Sequence, residues 1–158
     1  MLSGNQANAG LEQPAYPANS IVGEYKTTRP MRLVRVSNSK INGPRGGWLV
    51  EKSSIQGMSN QEIQKNLALE NVPDQIGEVD VPTGTVVRVG PVGANAWGPG
   101  NVKITQYQII SRIPNESFIE PVPLQAPVSA PIENITPIEP IEPVEPIEPI
   151  EPIEPFIP

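Results

Sequence analysis

The sequence predicts an α+β fold in which a small, mostly antiparallel sheet carries one short helix. Strand-like runs of Val, Ile and Leu alternate with turns marked by Gly, Pro and Asn along most of the chain. Only one segment has both a helix-capping signature and helical spacing of its apolar residues. Proline becomes frequent beyond about residue 118. We therefore predict a flexible leader at 1–22, an α+β domain at 23–118 and an extended Pro/Glu-rich tail at 119–158.

The leader is polar and contains Pro and Gly, which is typical of a disordered segment. It has neither the basic region nor the apolar region of a signal peptide. If the protein is secreted or delivered into a target cell, we expect either a route that needs no classical signal or a chain that has been cut from something larger. We also expect no membrane span, because no apolar run approaches the roughly 20 residues that a spanning helix needs.

Five strands are predicted in the body from short apolar runs that end at Gly, Pro or Asn. The first strand has Pro30 at its edge, where a missing N–H group is tolerated. A turn at residues 82–85 joins two neighbouring strands. The predicted strands cover residues 29–36, 47–51, 76–82, 86–90 and 106–113.

The single predicted helix begins at Ser59. Ser59 and Glu62 form an S-x-x-E capping box, in which each side chain accepts a hydrogen bond from the backbone of the other residue. Ile63 and Leu67 are four residues apart and therefore share one face. We expect the helix to end before Pro73, since the residue that precedes a proline is disfavoured in the α region.

The tail from Pro137 onward repeats Ile/Val-Glu-Pro with a period of three. Proline at every third position excludes helix interiors and sheet ladders and favours polyproline II, which also has three residues per turn. Repulsion between the glutamates stiffens such a segment. We expect a semi-rigid spacer, and the alternative is an apolar, acidic arm that docks onto a protein partner.

Composition excludes several classes of chemistry. The chain has no Cys and no His, which rules out a thiolate nucleophile, a zinc–thiolate site and a Ser–His pair. We expect no metal site and no bound cofactor. Residues 131–158 hold seven Glu and no base, so the rest of the chain has 10 acids against 11 bases. A nearly neutral body does not support nucleic-acid binding, which needs a clustered basic face.

The most informative segment is residues 86–107, VVRVGPVGANAWGPGNVKITQY, in which a strand enters a glycine-rich loop that carries Trp97. Glycine lets a ligand approach the backbone closely, and Trp supplies a flat apolar wall. This combination suits a pocket for a planar, polar small molecule. The alternative is an ordinary long β-hairpin with a Trp plug.

Together these segments resemble the necrotizing-toxin (TNT-like) NAD glycohydrolase domains over roughly residues 29–112. The resemblance rests on Arg35-Val36, Gly47-Trp48-Leu49, the strand that ends at Pro82, and Ala96-Trp97-Gly98-Pro99-Gly100 followed by Gln106-Tyr107. The chain is a divergent match, because it lacks the family's histidine and interrupts the family's run of three glycines. Such domains usually form the C-terminal part of larger bacterial toxins that are secreted or delivered. The resemblance implies a toxin or effector with NAD as its substrate and an immunity protein as a partner.

The resemblance assigns catalytic roles to Gln106 and Arg35. The Gln106 amide would hold the ribose hydroxyls or a water molecule, and the Arg35 guanidinium would pair with the pyrophosphate. The structural alternatives are an exposed Gln106 on its strand and an Arg35 that is solvated or ion-paired.

The resemblance assigns substrate binding to Trp48, Trp97, Gly98 and Gly100. The two indoles would stack the nicotinamide or the adenine, and the two glycine N–H groups would contact phosphate. Both Trp residues could instead be core plugs. A second function class also stays open, namely a non-enzymatic interaction module whose Ile-Glu-Pro arm binds a partner or acts as a spacer.

Overall fold

The computed structural model describes residues 1–124, and the Ile-Glu-Pro repeat lies outside them. Within this range the chain forms one eight-stranded sheet whose neighbouring strands all pair antiparallel. The same residues contain three short α-helices and one 3₁₀ turn. The predicted α+β class is confirmed, with more short helices than the one that was expected.

The strands follow the order β1-β2-β6-β7-β4-β3-β5-β8 across the sheet. They are β1 (Leu2–Ser3), β2 (Ile21–Lys26), β3 (Met31–Ser37), β4 (Trp48–Val50), β5 (Gln75–Val81), β6 (Val86–Val92), β7 (Asn101–Ile109) and β8 (Val122–Pro123). The helices are α1 (Gly4–Asn8), α2 (Lys52–Ile55) and α3 (Asn60–Asn66), and the 3₁₀ turn is Asn115–Ser117.

The five predicted strands correspond to β3 through β7, and β7 begins earlier than the sequence suggested. Val92 of β6 pairs with Asn101 across a register shift between Pro91 and Val92. Pairing with β6 therefore resumes directly after the glycine-rich loop, and that loop is confined to residues 93–100.

Alternate residues of β3 and β4 enter two different core clusters. Val34 and Val50 pack with Ile63 of α3, whereas Leu33 and Leu49 pack with apolar residues of β5 and β6. This alternation is the period of two that a strand imposes on its side chains. It places α3 against the strands that carry Arg35 and Trp48.

Helix α3 starts where the sequence predicted. The Ser59 Oγ atom accepts a hydrogen bond from the Glu62 N–H group at 3.1 Å, and Glu62 Oε1 accepts one from the Ser59 N–H group at 2.7 Å. Ile63 is the buried residue of this helix. The capping box thus fixes the start of the helix, and a single apolar side chain anchors it to the sheet.

The same helix ends well before Pro73, at Asn66. Ala68 adopts a left-handed conformation with a φ of 52°. The Ala68 N–H group donates to the Lys65 carbonyl at 3.3 Å, and the N–H group two residues beyond the cap, that of Leu69, donates to the Gln64 carbonyl at 2.9 Å. This is a Schellman turn, which satisfies the last helical carbonyls and redirects the chain.

The N-terminal residues differ from the predicted flexible leader. Strand β1 pairs with β2, and Ser3 and Gln6 form a capping box at the start of α1. The Tyr16 and Val22 side chains are 1% and 0% exposed. The prediction of a leader at 1–22 is therefore wrong, and the fold begins at Leu2. Its polar composition hid two ordering signals, an S-x-x-Q capping box and an aromatic side chain that is buried against the sheet.

Candidate functional site

A cavity of about 220 Å³ opens where β3 and β4 separate. These two strands share a single register pair, Val34 opposite Val50. The cavity is walled by both strands, by β7, by the turn after α3, by the N-terminal segment at 13–15 and by the glycine-rich loop. Four of the six residues that the sequence singled out line it, and they are Arg35, Trp48, Trp97 and Gln106.

Arg35 is the positively charged residue among those within residues 1–124 that line this cavity. Its guanidinium lies against Gly46, where an added Cβ atom would fall 2.5 Å from Arg35 Cζ. Arg35 Nη2 donates a long hydrogen bond of 3.4 Å to the Gly43 carbonyl, and the buried Nε has no partner among residues 1–124. Burial lowers the pKa of Arg35. In the described part of the chain Arg35 forms no ion pair; Arg32 pairs with the neighbouring strand carboxylates instead.

Gln106 is buried rather than exposed, with 8% of its surface accessible. Its Nε2 atom donates to the Ala15 carbonyl at 2.7 Å and to the Pro91 carbonyl at 3.3 Å. Both amide protons are therefore used, and they tie the N-terminal segment to β6 and β7. The Oε1 atom accepts no hydrogen bond from residues 1–124. Only this side-chain oxygen is available to a ligand, and it can accept a hydrogen bond from a hydroxyl group or from water.

Trp48 is half-buried and forms an apolar wall of the cavity. Its ring packs on the Tyr16 ring with centroids 5.9 Å apart and planes inclined at 53°. The Tyr16 hydroxyl donates to Gln108 Oε1 at 3.2 Å, and burial raises the pKa of Tyr16. A protonated, anchored Tyr16 therefore holds the indole of Trp48 in place.

Trp97 is not the core plug of a hairpin, because 37% of its surface is exposed. Its backbone is held on both sides: the Trp97 N–H group donates to Asn95 Oδ1 at 2.8 Å, and Gln64 Nε2 donates to the Trp97 carbonyl at 2.9 Å. Trp97 thus lines the cavity on a fixed backbone and remains partly exposed to solvent.

Gly98 and Gly100 do not act as the predicted phosphate contacts. Neither residue lines the cavity. The Gly98 N–H group donates to the Asn95 carbonyl at 3.4 Å, and the Gly100 N–H group donates to the Lys65 carbonyl at 3.0 Å. Their role is to pack the loop against α3. Gly100 has a φ of 66°, and an added Cβ atom there would lie 2.4 Å from the Gly93 carbonyl oxygen.

We expect Gly100→Ala to destabilise the protein by at least about 2 kcal/mol, because it combines backbone strain with a backbone clash. Gly84→Ala is the matched control, since Gly84 has a φ of 86° but no atom within 4 Å of its added Cβ. Strain alone should cost about 1 kcal/mol there. Urea unfolding measures the free energy of unfolding of both variants. Equal losses would show that the close approach of the added Cβ atom at Gly100 does not contribute to the destabilisation.

Sequence reasoning missed two parts of the site. Glu70 lines the cavity at the turn after α3, and no motif in the sequence marks it. The segment 13–15 forms another wall, and the signal that could have revealed it is the capping box at Ser3, which shows that the N-terminal residues are ordered. Both parts are brought to the cavity by long-range packing.

Comparison with family models, with curated proteins and with solved structures found no match to this chain. Among residues 1–124, no cluster of three or more acidic or histidine side chains could hold a metal ion. The helices of this same range are all too short to cross a membrane.

Proposed function

We propose that the cavity binds the nicotinamide–ribose half of NAD and that the protein hydrolyses NAD to nicotinamide and ADP-ribose. The observation that carries this proposal is that Arg35, whose buried Nε atom has no partner among residues 1–124, lines one cavity together with Trp48 and Gln106. A buried charge without a partner is costly, and an anionic ligand relieves that cost. A nucleotide combines a planar ring with an anionic phosphate and therefore matches these residues.

Each group has a task in this reaction. Arg35 grips a phosphate oxygen, Trp48 stacks on the ring, and Gln106 Oε1 accepts a hydrogen bond from a ribose hydroxyl or from the attacking water. The water oxygen forms a bond to ribose C1′ while the bond from C1′ to the ring nitrogen breaks. The electron pair of the broken bond stays on the ring nitrogen and neutralises the nicotinamide ring, and a proton of the attacking water passes to solvent. Orientation and electrostatics supply the catalysis.

The size of the cavity limits which part of the dinucleotide enters it. Its volume of about 220 Å³ is below the roughly 300–1,000 Å³ of pockets that enclose drug-sized ligands. We therefore place the nicotinamide, its ribose and the first phosphate inside. The adenosine half lies outside, against the exposed indole of Trp97.

The biological role follows from the resemblance to necrotizing-toxin domains. We propose a toxin or effector domain that is secreted or delivered into a target cell, where it depletes NAD. An immunity protein that covers the cavity would protect the producing cell. No cofactor is needed, because NAD is the substrate.

The test is to incubate the purified full chain with NAD and to separate the products by chromatography. We expect nicotinamide and ADP-ribose in equal amounts, released in proportion to protein concentration. Binding of ADP-ribose is measured in parallel by calorimetry. If micromolar protein neither releases nicotinamide nor binds ADP-ribose, the proposal is wrong.

A second candidate is the non-enzymatic interaction module. It is favoured by the lack of histidine and by the small volume of the cavity, which suits recognition of a small group better than enclosure of a whole dinucleotide. Its proposed Ile-Glu-Pro arm lies outside the described residues. Binding of ADP-ribose without any nicotinamide release would favour this candidate over the enzyme.

A further inference from the structure

Among residues 1–124, those that line the cavity include only two charged residues, and these have opposite signs. They are Arg35 and Glu70. Glu70 forms no ion pair and no side-chain hydrogen bond with any of residues 1–124, as Arg35 forms no ion pair there. Each charge therefore remains available to a ligand. Two opposite charges that line one cavity and have no ion-pair partner among residues 1–124 suit a ligand that itself carries both signs.

Glu70 is carried by a turn that is fixed at both ends. On one side, the Schellman turn at Ala68 joins it to α3, and Gln64 Nε2 donates to the Leu69 carbonyl at 2.5 Å. On the other side, Asn38 Nδ2 donates to the Val72 carbonyl at 2.9 Å. The carboxylate is exposed, but its backbone is held in place at the rim of the cavity.

We propose that Glu70 determines specificity by recognising the positive charge of the oxidised nicotinamide ring; this rests on the proposed function of the cavity. Oxidised nicotinamide carries one positive charge on its ring, and the adjoining phosphate carries one negative charge. Arg35 matches the phosphate, and Glu70 matches the ring. The reduced dihydronicotinamide ring is neutral, so Glu70 gains nothing from it.

The same carboxylate serves the reaction after binding. As the glycosidic bond breaks, positive charge moves from the ring nitrogen towards ribose C1′ and its ring oxygen. A negative charge carried on a fixed backbone at this rim stabilises that distribution. The Trp48 indole contributes a stacking face on which the ring remains in place.

The experiment uses carba-NAD, in which a methylene group replaces the ribose ring oxygen so that the bond to nicotinamide is not hydrolysed, and its dihydro form. Calorimetry measures the Kd of both analogues for the wild-type chain, for Glu70→Gln and for Glu120→Gln. Glu120 is exposed and does not line the cavity, so it is the matched control. We expect the wild type and the control to prefer the oxidised analogue by about tenfold.

Glu70→Gln is expected to abolish this preference by weakening only the oxidised analogue. Because Glu70 is exposed, the variant should keep the unfolding midpoint of the wild type, which thermal denaturation verifies. If both analogues bind but Glu70→Gln retains the preference, or the wild type shows none, the Glu70 assignment is wrong while the nucleotide site stands. If neither analogue binds to the wild type, both proposals fail together.

Discussion

Replacing Arg35 with Ala is expected to weaken ADP-ribose binding by about 10- to 100-fold, because a charge-assisted hydrogen bond to phosphate contributes about 1.5–3 kcal/mol. NAD turnover should fall at least as much. Arg35→Lys keeps the charge but loses the planar fork, so we expect it to lie between the wild type and the Ala variant. Arg29→Ala, at an exposed position outside the cavity, is the control and should bind as the wild type does.

A stability measurement on the same position separates a ligand-binding role from a structural one. The Nε atom of Arg35 is buried without a partner among residues 1–124, and burial already lowers the pKa of the group. Arg35→Met removes this desolvated charge while keeping most of the volume, so the unliganded protein should be as stable as the wild type or more stable. A clear loss of stability in Arg35→Met, with ADP-ribose binding unchanged in Arg35→Ala, would mean that Arg35 is a structural residue.

Ile63→Ala should produce the largest loss of stability, at about 2–5 kcal/mol. Ile63 is 1% exposed and is the buried residue that anchors α3 to the sheet. The truncation leaves a cavity beneath a helix whose C-terminal turn lines the functional site. We therefore expect weaker ADP-ribose binding as a secondary effect, even where the variant is still folded.

Urea unfolding measures this loss, and Ile21→Ala is the matched control. Ile21 lies in β2 with 71% of its surface exposed, so the same truncation should change the free energy of unfolding by less than about 0.5 kcal/mol. The slope m should be the same for both variants. Equal effects at the two positions would contradict the assignment of Ile63 to the core.

The fold class followed from local patterns that tertiary contacts reinforce. The capping box at Ser59 and the apolar residue at Ile63 act within one helix, and both were read correctly from the sequence. Strands β3 to β7 have enough β-branched residues to be recognised alone. Strands β1, β2 and β8 were not predicted as strands. β1 and β8 have two residues each and lie at the edges of the sheet, and β2 contains Gly, Glu and Lys among its six residues, so pairing rather than propensity makes them strands.

The candidate site was predicted in part. Residue type suggested Arg35, Trp48, Trp97 and Gln106, and the structure brings all four to one cavity. The sequence could not predict which atoms of these residues remain available to a ligand. The amide protons of Gln106 are taken by carbonyls of Ala15 and Pro91, as many as 91 residues away in sequence.

Gly98 and Gly100 were predicted as phosphate contacts, but they do not line the cavity. A glycine-rich loop looks like a phosphate cradle, but backbone N–H groups bind an anion only if they have no other acceptor. Here the end of α3 supplies that acceptor, the Lys65 carbonyl, for Gly100. No pattern local to the loop predicts that the helix approaches it so closely.

By itself the sequence determined the class of fold, the start of α3, the separation of an acidic repeat from a neutral body and the exclusion of thiol and imidazole chemistry. These properties depend on composition and on neighbours within a few residues. Only the tertiary structure decided that the N-terminal residues belong to the fold and that Arg35 and Glu70, which form no ion pair within residues 1–124, line one cavity. Whether a charge is unpaired depends on every chain segment that packs around it, and those segments are far apart in sequence.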